Sequence, residues 1–305
     1  MTITQIVDDF MVAQLNYINP PISNVKGSYN KSVNVFDDEY HALCETILLD
    51  GVLNKNRTAT DSIAIFGHLL KFDLKQGFPL ITTKKVNFKH LANEILWLYS
   101  DKCDNVYNLP EESRFLWKNW AKEDGYLGNI YGMNVRKLKN NEGAEPKYID
   151  QLTELIEGLK TNPNSRRHVI TNWIPTELDN QALACCHGNI VQFNVFDNKL
   201  SCHMHQRSMD VPVGGCWNIA QYALLTHIIA KCTGYEPDIL TISIGNAHIY
   251  VNQIEGIKEQ LTRTSFPPPK LKINTNKINF DDFTPDDFEL INYQHGDFIR
   301  FEVAI

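Results

Sequence analysis

The stretch at residues 189–208, NIVQFNVFDNKLSCHMHQRS, contains two strand-like runs on either side of a short polar break. The break is Asp197-Asn198, a residue pair that can form a tight turn between antiparallel strands. If Phe196 faces Lys199 across this turn, the register of the whole hairpin is fixed. The sequence therefore predicts a β-hairpin here.

This hairpin returns charged side chains to a cysteine. In the predicted register Arg207 lies opposite Gly188, and Asp210 lies just past Cys186. A guanidinium near a thiol lowers the thiol pKa and favours the thiolate, which is the nucleophilic form. Cys186 is therefore a candidate nucleophile. Composition alone also allows a plainer interpretation, in which Cys185 and Cys186 are two buried core thiols.

Three further interpretations of these cysteines have weaker support. The residues that could bind zinc are Cys185, Cys186, His187, Cys202, His203 and His205. However, they include no Cys-x-x-Cys pair, and adjacent residues of a strand point to opposite faces. A papain-like pair is disfavoured for the same reason, because His187 would point away from the Cys186 sulfur. A disulfide is the weakest interpretation, since seven cysteines without an export signal are typical of reduced cytosolic thiols.

Length and composition indicate an ordinary globular protein, with 305 residues of which 43% are hydrophobic and 21% charged. The net charge of -7 disfavours a general nucleic-acid surface, so no obligate nucleic-acid partner is expected. The N-terminal sequence does not resemble a secretory signal, and no apolar run is long enough to span a bilayer. We therefore expect a cytoplasmic protein with no membrane partner. Residues 1–34 are expected to form an extension ahead of a domain at residues 35–305.

Apolar periodicity predicts three helices and a C-terminal strand. Residues 86–100, VNFKHLANEILWLYS, have one apolar stripe at helical spacing, with Glu94 beside it. Residues 150–160, DQLTELIEGLK, form an amphipathic pattern. Residues 216–234, CWNIAQYALLTHIIAKCTG, are apolar nearly all round and stop at Gly234, as expected for a buried central helix. The C-terminal sequence FIRFEVAI is strand-like.

Several residues outside the hairpin are candidates for a site, although each has a structural explanation. Arg166 and Arg167 could bind an anion such as phosphate, but a solvated loop explains them as well. Arg57 has the same ambiguity, and Asn218 could simply cap its helix. Packing would account for the remaining candidates, which are Trp117, Trp120, and the pair His248 and Tyr250 on one strand face.

Taken together and in this order, these motifs resemble the folate-dependent thymidylate synthase family. The resemblance extends over residues 35–305, about nine-tenths of the chain. The matching stretches are IFGHLLKFDLKQGFPLITTKK, EILWLYS, FLWKNWAKEDGYLGNIYG, PNSRRHVITNW, CCHGNIVQFNV, HQRSMDVPVG, WNIAQYALL, GNAHIYVN and VAI. The resemblance implies an α+β fold, a single domain with a large mixed sheet at the dimer interface and packed helices.

The resemblance implies a methyltransferase that converts dUMP to dTMP with 5,10-methylenetetrahydrofolate as cosubstrate and without a metal. Cys186 would add to C6 of uracil, a base would remove the C5 proton, and hydride transfer would give dTMP and dihydrofolate. One alternative is a dUMP 5-hydroxymethylase, in which water takes the place of hydride. A deoxycytidylate hydroxymethylase fits less well, because that relative carries Asp where this chain has Asn218. A remote alternative is a non-catalytic nucleotide- or RNA-binding paralogue.

The resemblance also implies which residues perform the chemistry and bind the phosphate. The implied catalytic residues are Cys186, Glu94, Tyr131, His187 and Asp210. The residues implied for the substrate phosphate are Arg57, Arg207, Ser208, Arg166 and Arg167. In this family the last two come from the other subunit, so a homodimer is implied.

The rest of the ligand site follows from the same resemblance. Asn218 is expected to read N3 and O4 of uracil, with Gln206 as another substrate contact. His248 and Tyr250 are expected to bind the deoxyribose 3′-hydroxyl. The residues implied for the folate are Trp117, Trp120, Asp210, Gly214, Trp217 and Ile305. The terminal carboxylate of Ile305 is expected to help close the site and exclude water.

Three stretches depart from the family pattern. The family usually has Arg-Thr-Gly-Thr-Gly where this chain has Arg57-Thr58-Ala59-Thr60-Asp61, a change that affects how this loop closes on phosphate. Cys185 stands where the family usually has Pro. Gly215-Cys216-Trp217-Asn218 replaces Leu-Pro-Phe-Asn, which reshapes the wall near the pterin. These changes leave the covalent step intact and bear on the reductive step.

Overall fold

The structure is a computed structural model that describes residues 33–56, 58, 60–140 and 147–303. Three parts of the predictions therefore lie outside the described residues: residues 1–32 of the extension, Arg57 and Ile305.

A six-stranded sheet is the largest element of the described part of the chain. Its strands, in spatial order, are β1 (Val52–Asn54), β2 (Ser62–Asp73), β8 (Glu236–Tyr250), β7 (Lys199–Asp210), β6 (Ile190–Phe196) and β5 (Val169–Thr171). β7 and β8 are parallel and every other neighbouring pair is antiparallel, so the sheet is mixed. Two short hairpins lie outside it, β3 (Leu138–Asn140) with β4 (Lys147–Ile149) and β9 (Lys270–Ile273) with β10 (Phe288–Ile291).

Helices supply the rest of the core. Those in the described ranges are α1 (Val35–Asp50), α2 (Phe88–Ser100), α3 (Tyr131–Arg136), α4 (Gln151–Thr161), α5 (Cys216–Thr233) and α6 (Ile254–Leu261). α5 confirms the predicted central helix: it is buried along nearly its whole length and ends at Gly234, whose φ is 81°. α4 confirms the predicted amphipathic helix and buries Leu152 and Leu155 on one side. None of the helices described here combines the length and the apolar character needed to cross a membrane.

The hairpin at residues 189–208 has the predicted register. Phe196 faces Lys199, and facing pairs continue regularly as far as Ile190. Asp197 and Asn198 have φ values of 48° and 61°, the left-handed turn geometry that matches the twist of the flanking strands. This turn, together with the burial of alternate residues on the inner face, fixes how β6 and β7 pair within the sheet.

Two predictions about individual elements were wrong. α2 does not bury a single stripe, because every residue from Leu91 to Tyr99 is buried. The helix packs against both α3 and α5, so little of its surface faces solvent. The C-terminal sequence forms no strand at residues 298–303. There the Glu302 carbonyl accepts a hydrogen bond from the Gln253 side chain, which attaches this segment to the end of β8.

Candidate active site

Cys186 lies in the extended segment that precedes β6, and its backbone is held from both sides. The N–H of Cys186 donates to the Tyr131 hydroxyl at 3.1 Å, and the Ser208 N–H donates to the Cys186 carbonyl at 3.4 Å. Cys186 is partly exposed, whereas Cys185 is only 1% exposed. Cys186 is therefore the more exposed residue of the pair.

Gly188 makes the sharp bend that follows Cys186. Its φ is 58°, and a side chain at this position would come within 2.0 Å of the Tyr222 hydroxyl, so glycine is required on two counts. The bend ends the regular ladder between β6 and β7. As a result Arg207 does not pair with Gly188, contrary to the register predicted from the sequence. The backbone N–H of Arg207 instead donates to the Asn189 side chain at 2.8 Å.

Arg207 nevertheless returns to the cysteines. Its Nε donates to the Cys185 carbonyl at 3.0 Å and its Nη2 to the Ala184 carbonyl at 2.9 Å. The guanidinium also lies 5.5 Å from the centre of the Trp173 ring, within the range of a cation–π contact. A guanidinium has five N–H groups. The two bonds to carbonyls fix Arg207 beside the thiol and leave further donors for an anion.

The pKa of Cys186 is raised, which corrects the prediction made from the sequence. Burial raises the pKa, while the Tyr131 hydrogen bond and the Arg207 charge oppose the shift. The predicted influence of Arg207 is therefore present, but desolvation of the thiolate outweighs it. Burial raises the pKa of Cys185 as well, and there the Arg207 charge is the smallest influence.

Tyr131 and His187 form a stacked pair behind the thiol, with ring centres 4.6 Å apart and planes at 21°. The Tyr131 hydroxyl lies 3.9 Å from the Cys186 sulfur. His187 Nδ1 lies 2.9 Å from the Tyr222 hydroxyl, and burial lowers the pKa of His187 to about 3. The imidazole is therefore neutral at pH 7. The stack presents polar groups without a net charge next to the thiol.

Glu94 is a buried carboxyl group that accepts three hydrogen bonds. Trp117 Nε1 donates to its Oε1 at 2.5 Å, and Trp217 Nε1 donates to its Oε2. Gln221 Nε2 also donates to Oε2, at 2.8 Å. Burial raises the pKa of Glu94, and the three hydrogen bonds oppose the shift. Trp217 therefore contacts a catalytic candidate directly, in addition to its predicted place in the pterin wall.

Asn218 lies in the first turn of α5 but does not cap it. The N-cap position is Gly215, and no side chain caps the helix. Asn218 Oδ1 accepts from Gln206 Nε2 at 2.9 Å, and Asn218 Nδ2 donates to Gln221 Oε1 at 3.0 Å. Because Gln221 also donates to Glu94, the candidate base-reading amide and the candidate catalytic carboxyl belong to one network.

Asp210 ends β7 directly beside His248 on β8. Its Oδ1 accepts from the Val213 N–H at 3.4 Å and its Oδ2 from Gln253 Nε2 at 3.2 Å. Burial raises the pKa of Asp210 to about 6. Gln253 Nε2 also donates to the Glu302 carbonyl at 3.0 Å, so one side chain joins Asp210 to the C-terminal segment.

His248 and Tyr250 share one face at the end of β8, as predicted. Their rings are perpendicular, with centres 5.1 Å apart. His248 Nδ1 lies 2.8 Å from Asn246 Oδ1, and burial lowers the pKa of His248. Both side chains are nearly buried, so their placement is set by packing as well as by any ligand.

The remaining folate candidates lie close to these groups. Trp120 packs edge-on against Trp117, with ring centres 6.1 Å apart. Gly214 lies in the turn before α5, where a side chain would lie 3.5 Å from Asn218 Oδ1. The structure thus gathers the thiol, the buried carboxyl, the amide and an aromatic wall into one region.

The predicted phosphate site is not gathered in this way. Arg166 and Arg167 are both exposed on the loop before β5. Within the described part of the chain, neither of them forms an ion pair. Arg57 lies outside the described residues, as does the Ile305 carboxylate.

Sequence reasoning missed several positioning residues. Gln221 and Tyr222 follow Asn218 by three and four positions, so helical spacing in α5 could have placed them on the same side. Asp104 had no signal in the sequence. Its buried carboxyl accepts three backbone N–H groups at the start of α3 and so holds Tyr131. Burial raises the pKa of Asp104 to about 7.

The cysteines and possible metal ligands complete the description. All seven cysteines are free. Across residues 33–303, wherever the structure describes them, no group of three His, Cys, Asp or Glu side chains is arranged to hold a metal ion.

Comparison with known proteins identifies the family of this chain. The family model described as thymidylate synthase matches residues 38–305. A thymidylate synthase of Staphylococcus haemolyticus (strain JCSC1435) is 40% identical, in an alignment that covers 90% of this chain and all of that protein. This chain is therefore an α+β enzyme of the methyltransferase class. The chain belongs to the thymidylate synthase family.

Proposed function

We propose that the protein methylates dUMP at C5, using 5,10-methylenetetrahydrofolate, and releases dTMP and dihydrofolate. The observation that carries this proposal is the environment of Cys186. Its thiol lies 3.9 Å from the Tyr131 hydroxyl and close to the fixed guanidinium of Arg207. The relative that is 40% identical carries the name of this activity, which supports the same conclusion.

Cys186 would perform the covalent step. C5 of uracil is a poor nucleophile until a group adds to C6, and a thiolate is suited to that addition. The Arg207 charge favours the thiolate, against the burial that disfavours it. The sulfur would bond to C6, the electron pair of the C5–C6 double bond would move toward C5 and O4, and C5 would become the carbon that attacks.

Removal of the C5 proton requires a group that can exchange protons near neutral pH. Burial raises the pKa of Glu94 and so brings this carboxyl closer to the working pH. The Tyr131 hydroxyl lies beside the sulfur that would carry the base, and His187 is neutral. We propose that these three side chains order the waters through which the protons move.

Asn218 would read the pyrimidine. Its amide has one N–H and one oxygen lone pair left after the bonds to Gln221 and Gln206. Uracil presents an N3–H donor next to an O4 acceptor, which is the complement of that pair. His248 and Tyr250 would bind the deoxyribose from the end of β8.

The tryptophans around Glu94, together with Asp210, would bind the folate. Trp117 and Trp120 form an aromatic wall, and Trp217 packs against the core nearby. Burial raises the pKa of Asp210 to about 6, so this carboxyl group is mostly ionised at pH 7. In that form it can accept hydrogen bonds from the N–H groups of a pterin. When bound, 5,10-methylenetetrahydrofolate would supply both the one-carbon unit and the hydride.

The product depends on whether hydride or water reaches the methylene group at C5. Water is abundant, so transfer of hydride requires that water be kept away from C5. The indoles of Trp117 and Trp217 cover Glu94, and Gln253 attaches the C-terminal segment beside Asp210. These contacts favour the dry arrangement and therefore dTMP.

Product analysis tests the proposal. The protein is incubated with dUMP and 5,10-methylenetetrahydrofolate, and the nucleotide is identified by mass spectrometry while dihydrofolate is followed by its absorbance. We expect dTMP and dihydrofolate in equal amounts. Formation of 5-hydroxymethyl-dUMP with tetrahydrofolate would establish the hydroxymethylase instead, and the absence of any product would reject both.

We also propose that the enzyme is a homodimer in the cytoplasm, with Arg166 and Arg167 supplied to the partner's phosphate site. The outer face of the sheet carries large exposed apolar residues, with Phe66 87% and Phe196 72% exposed. Exposed apolar groups of this size favour a protein interface. The free cysteines suit a reducing compartment.

A further inference from the structure

Two glutamines hold the Asn218 amide between them. On one side Gln206 Nε2 donates to Asn218 Oδ1 at 2.9 Å, and on the other Asn218 Nδ2 donates to Gln221 Oε1 at 3.0 Å. All three side chains are buried, with Gln221 fully so. An amide can rotate by half a turn and exchange its oxygen with its nitrogen, so these neighbours decide which atom faces which way.

The orientation of Gln221 is fixed by groups that can only donate or only accept. Trp117 and Trp217 donate indole N–H groups, and an indole nitrogen has no acceptor function. Each oxygen of Glu94 therefore accepts an indole N–H, and the ionised carboxylate has no proton to donate. With Glu94 ionised, Gln221 presents its nitrogen to Glu94 Oε2, at 2.8 Å, and consequently its oxygen to Asn218.

The orientation of Gln206 is fixed independently. Its Nε2 donates to the Ser208 carbonyl at 3.1 Å, and a carbonyl can only accept. The same nitrogen donates to Asn218 Oδ1. Both glutamines therefore require the same orientation of the Asn218 amide, with its oxygen toward Gln206 and its nitrogen toward Gln221.

We infer that Gln221 is a specificity-determining residue, which locks the Asn218 amide in the orientation that accepts uracil and excludes cytosine. The inference rests on the proposed function, because it deepens the role of Asn218 in reading the base. Uracil needs an acceptor at N3–H and a donor at O4, and cytosine needs the reverse. An amide free to rotate could serve either base, whereas one held at both sides serves only the first.

Substitution of Gln221 by methionine tests this inference. Gln221→Met keeps the length of the side chain and removes both hydrogen bonds. The ratio of kcat/KM for dUMP to kcat/KM for dCMP should fall by about tenfold or more, because one of the two anchors is lost. Circular dichroism and thermal unfolding verify that the variant is folded. A ratio within twofold of the parent would overturn the inference.

The matched control is Gln260→Met in α6. Gln260 is also fully buried and donates to a single side chain, Thr83 Oγ1, at 3.0 Å. Gln260→Met, like Gln221→Met, removes a buried amide, but Gln260 does not contact Asn218. The base preference of this variant should equal that of the parent. An equal loss of preference in both variants would show a general effect of destabilisation and overturn the inference.

A second variant keeps the test decisive if Gln221→Met does not fold. In Gln221→Glu, a protonated carboxyl can donate to Glu94 and accept from Asn218, so the polarity of the chain is preserved while the two carboxyls share a proton. A carboxylate oxygen also accepts from Asn218 Nδ2, so the preference for uracil should be retained from pH 5 to pH 9. A dUMP-to-dCMP ratio that falls by about tenfold or more in this variant would overturn the inference.

Nucleotide binding separates this inference from the proposed function. The affinities of dUMP and dCMP are measured by calorimetry for the parent and for Gln221→Met, without folate. If the parent does not turn over dUMP, the proposed function fails, and the affinity ratio still reports the amide orientation. If the parent forms dTMP and Gln221→Met keeps the parent's preference in both assays, only the role of Gln221 is wrong.

Discussion

The base-reading side of the site and its phosphate side differ in how complete they are within one chain. On the base-reading side Asn218, Gln221 and Glu94 are buried and bonded to one another. On the phosphate side Arg166 and Arg167 are exposed and have no ion pair among the described residues. The base-reading side is built by tertiary packing, whereas the phosphate side leaves its guanidinium groups available to bind an anion.

Physical chemistry explains this difference. A buried amide or carboxyl group without a partner costs about 1–3 kcal/mol, so such groups must satisfy one another as the chain folds. Guanidinium groups instead repel each other until an anion neutralises them, so a cluster of arginines gains little by forming before the ligand arrives. The base-reading side is therefore preorganised within one chain, whereas the phosphate side depends on assembly.

The largest expected effect comes from changing the preorganised side. Asn218→Asp should lower kcat/KM for dUMP by about a thousandfold and raise dCMP turnover, because a protonated carboxyl can donate to cytosine N3 and accept from its amino group. The measurement is the kcat/KM for each nucleotide. A dUMP-to-dCMP preference equal to the parent's would show that base selection lies elsewhere.

A somewhat smaller effect should come from the phosphate side, and it should be recoverable. Arg167→Ala removes charge-assisted bonds to phosphate and should lower kcat/KM for dUMP by about a hundredfold. Mixing this variant with Cys186→Ser should restore about a quarter of the parental activity, since half of the dimers carry one complete site.

The same experiment carries its own control. Native mass spectrometry of the mixture measures the fraction of dimers that contain one Arg167→Ala and one Cys186→Ser subunit, and so reports subunit exchange. If exchange occurs between folded partners and the variant mixture stays inactive, the arginines do not act across the interface.

Fold and site meet at Gly188, where we expect an effect on stability. Gly188→Ala combines a positive φ with a clash against the Tyr222 hydroxyl and should lower the free energy of unfolding by about 2–3 kcal/mol. Gly234→Ala is the matched control, because its φ is also positive but open space surrounds it. Urea titration measures both. Equal losses would mean that the contact with Tyr222 is unimportant.

The smallest expected effect is a pH dependence at Asp210. Burial raises the pKa of Asp210 from 3.8 to about 6 in the folded protein. The folded state therefore holds its proton more tightly than the unfolded state. The corresponding stability is present below pH 4 and is lost as the pH rises through about 6.

Comparison with Asp210→Asn isolates this contribution. The variant has no proton to lose, so its free energy of unfolding should gain about 1 kcal/mol relative to the parent between pH 4 and pH 7. The KM for folate should also lose any titration near pH 6. Parallel pH profiles for the two proteins would contradict the assignment.

The sequence alone predicted the parts that depend on local rules. The hairpin turn at Asp197 and Asn198, the helix that ends at Gly234 and the return of Arg207 to the cysteines all follow from turn chemistry, capping and register. The fold class followed from the resemblance. These features need no knowledge of distant contacts.

The remaining features depend on tertiary contacts that local patterns do not contain. Burial reversed the expected net direction of the Cys186 pKa, and packing on all sides of α2 replaced the single stripe. The partners of Glu94 and the role of Gln221 come from side chains brought together by folding. The C-terminal segment is held by Gln253 and not by strand pairing.

The most direct test of the central claim, that the chemistry of this site begins at Cys186, is formation of a covalent complex with 5-fluoro-dUMP and 5,10-methylenetetrahydrofolate. Fluorine at C5 cannot leave as a proton does, so an adduct formed by sulfur addition should accumulate. Mass spectrometry of the digested protein should place it on Cys186, with Cys185→Ala forming it and Cys186→Ser failing to form it. An adduct in the Cys186→Ser protein would contradict the account.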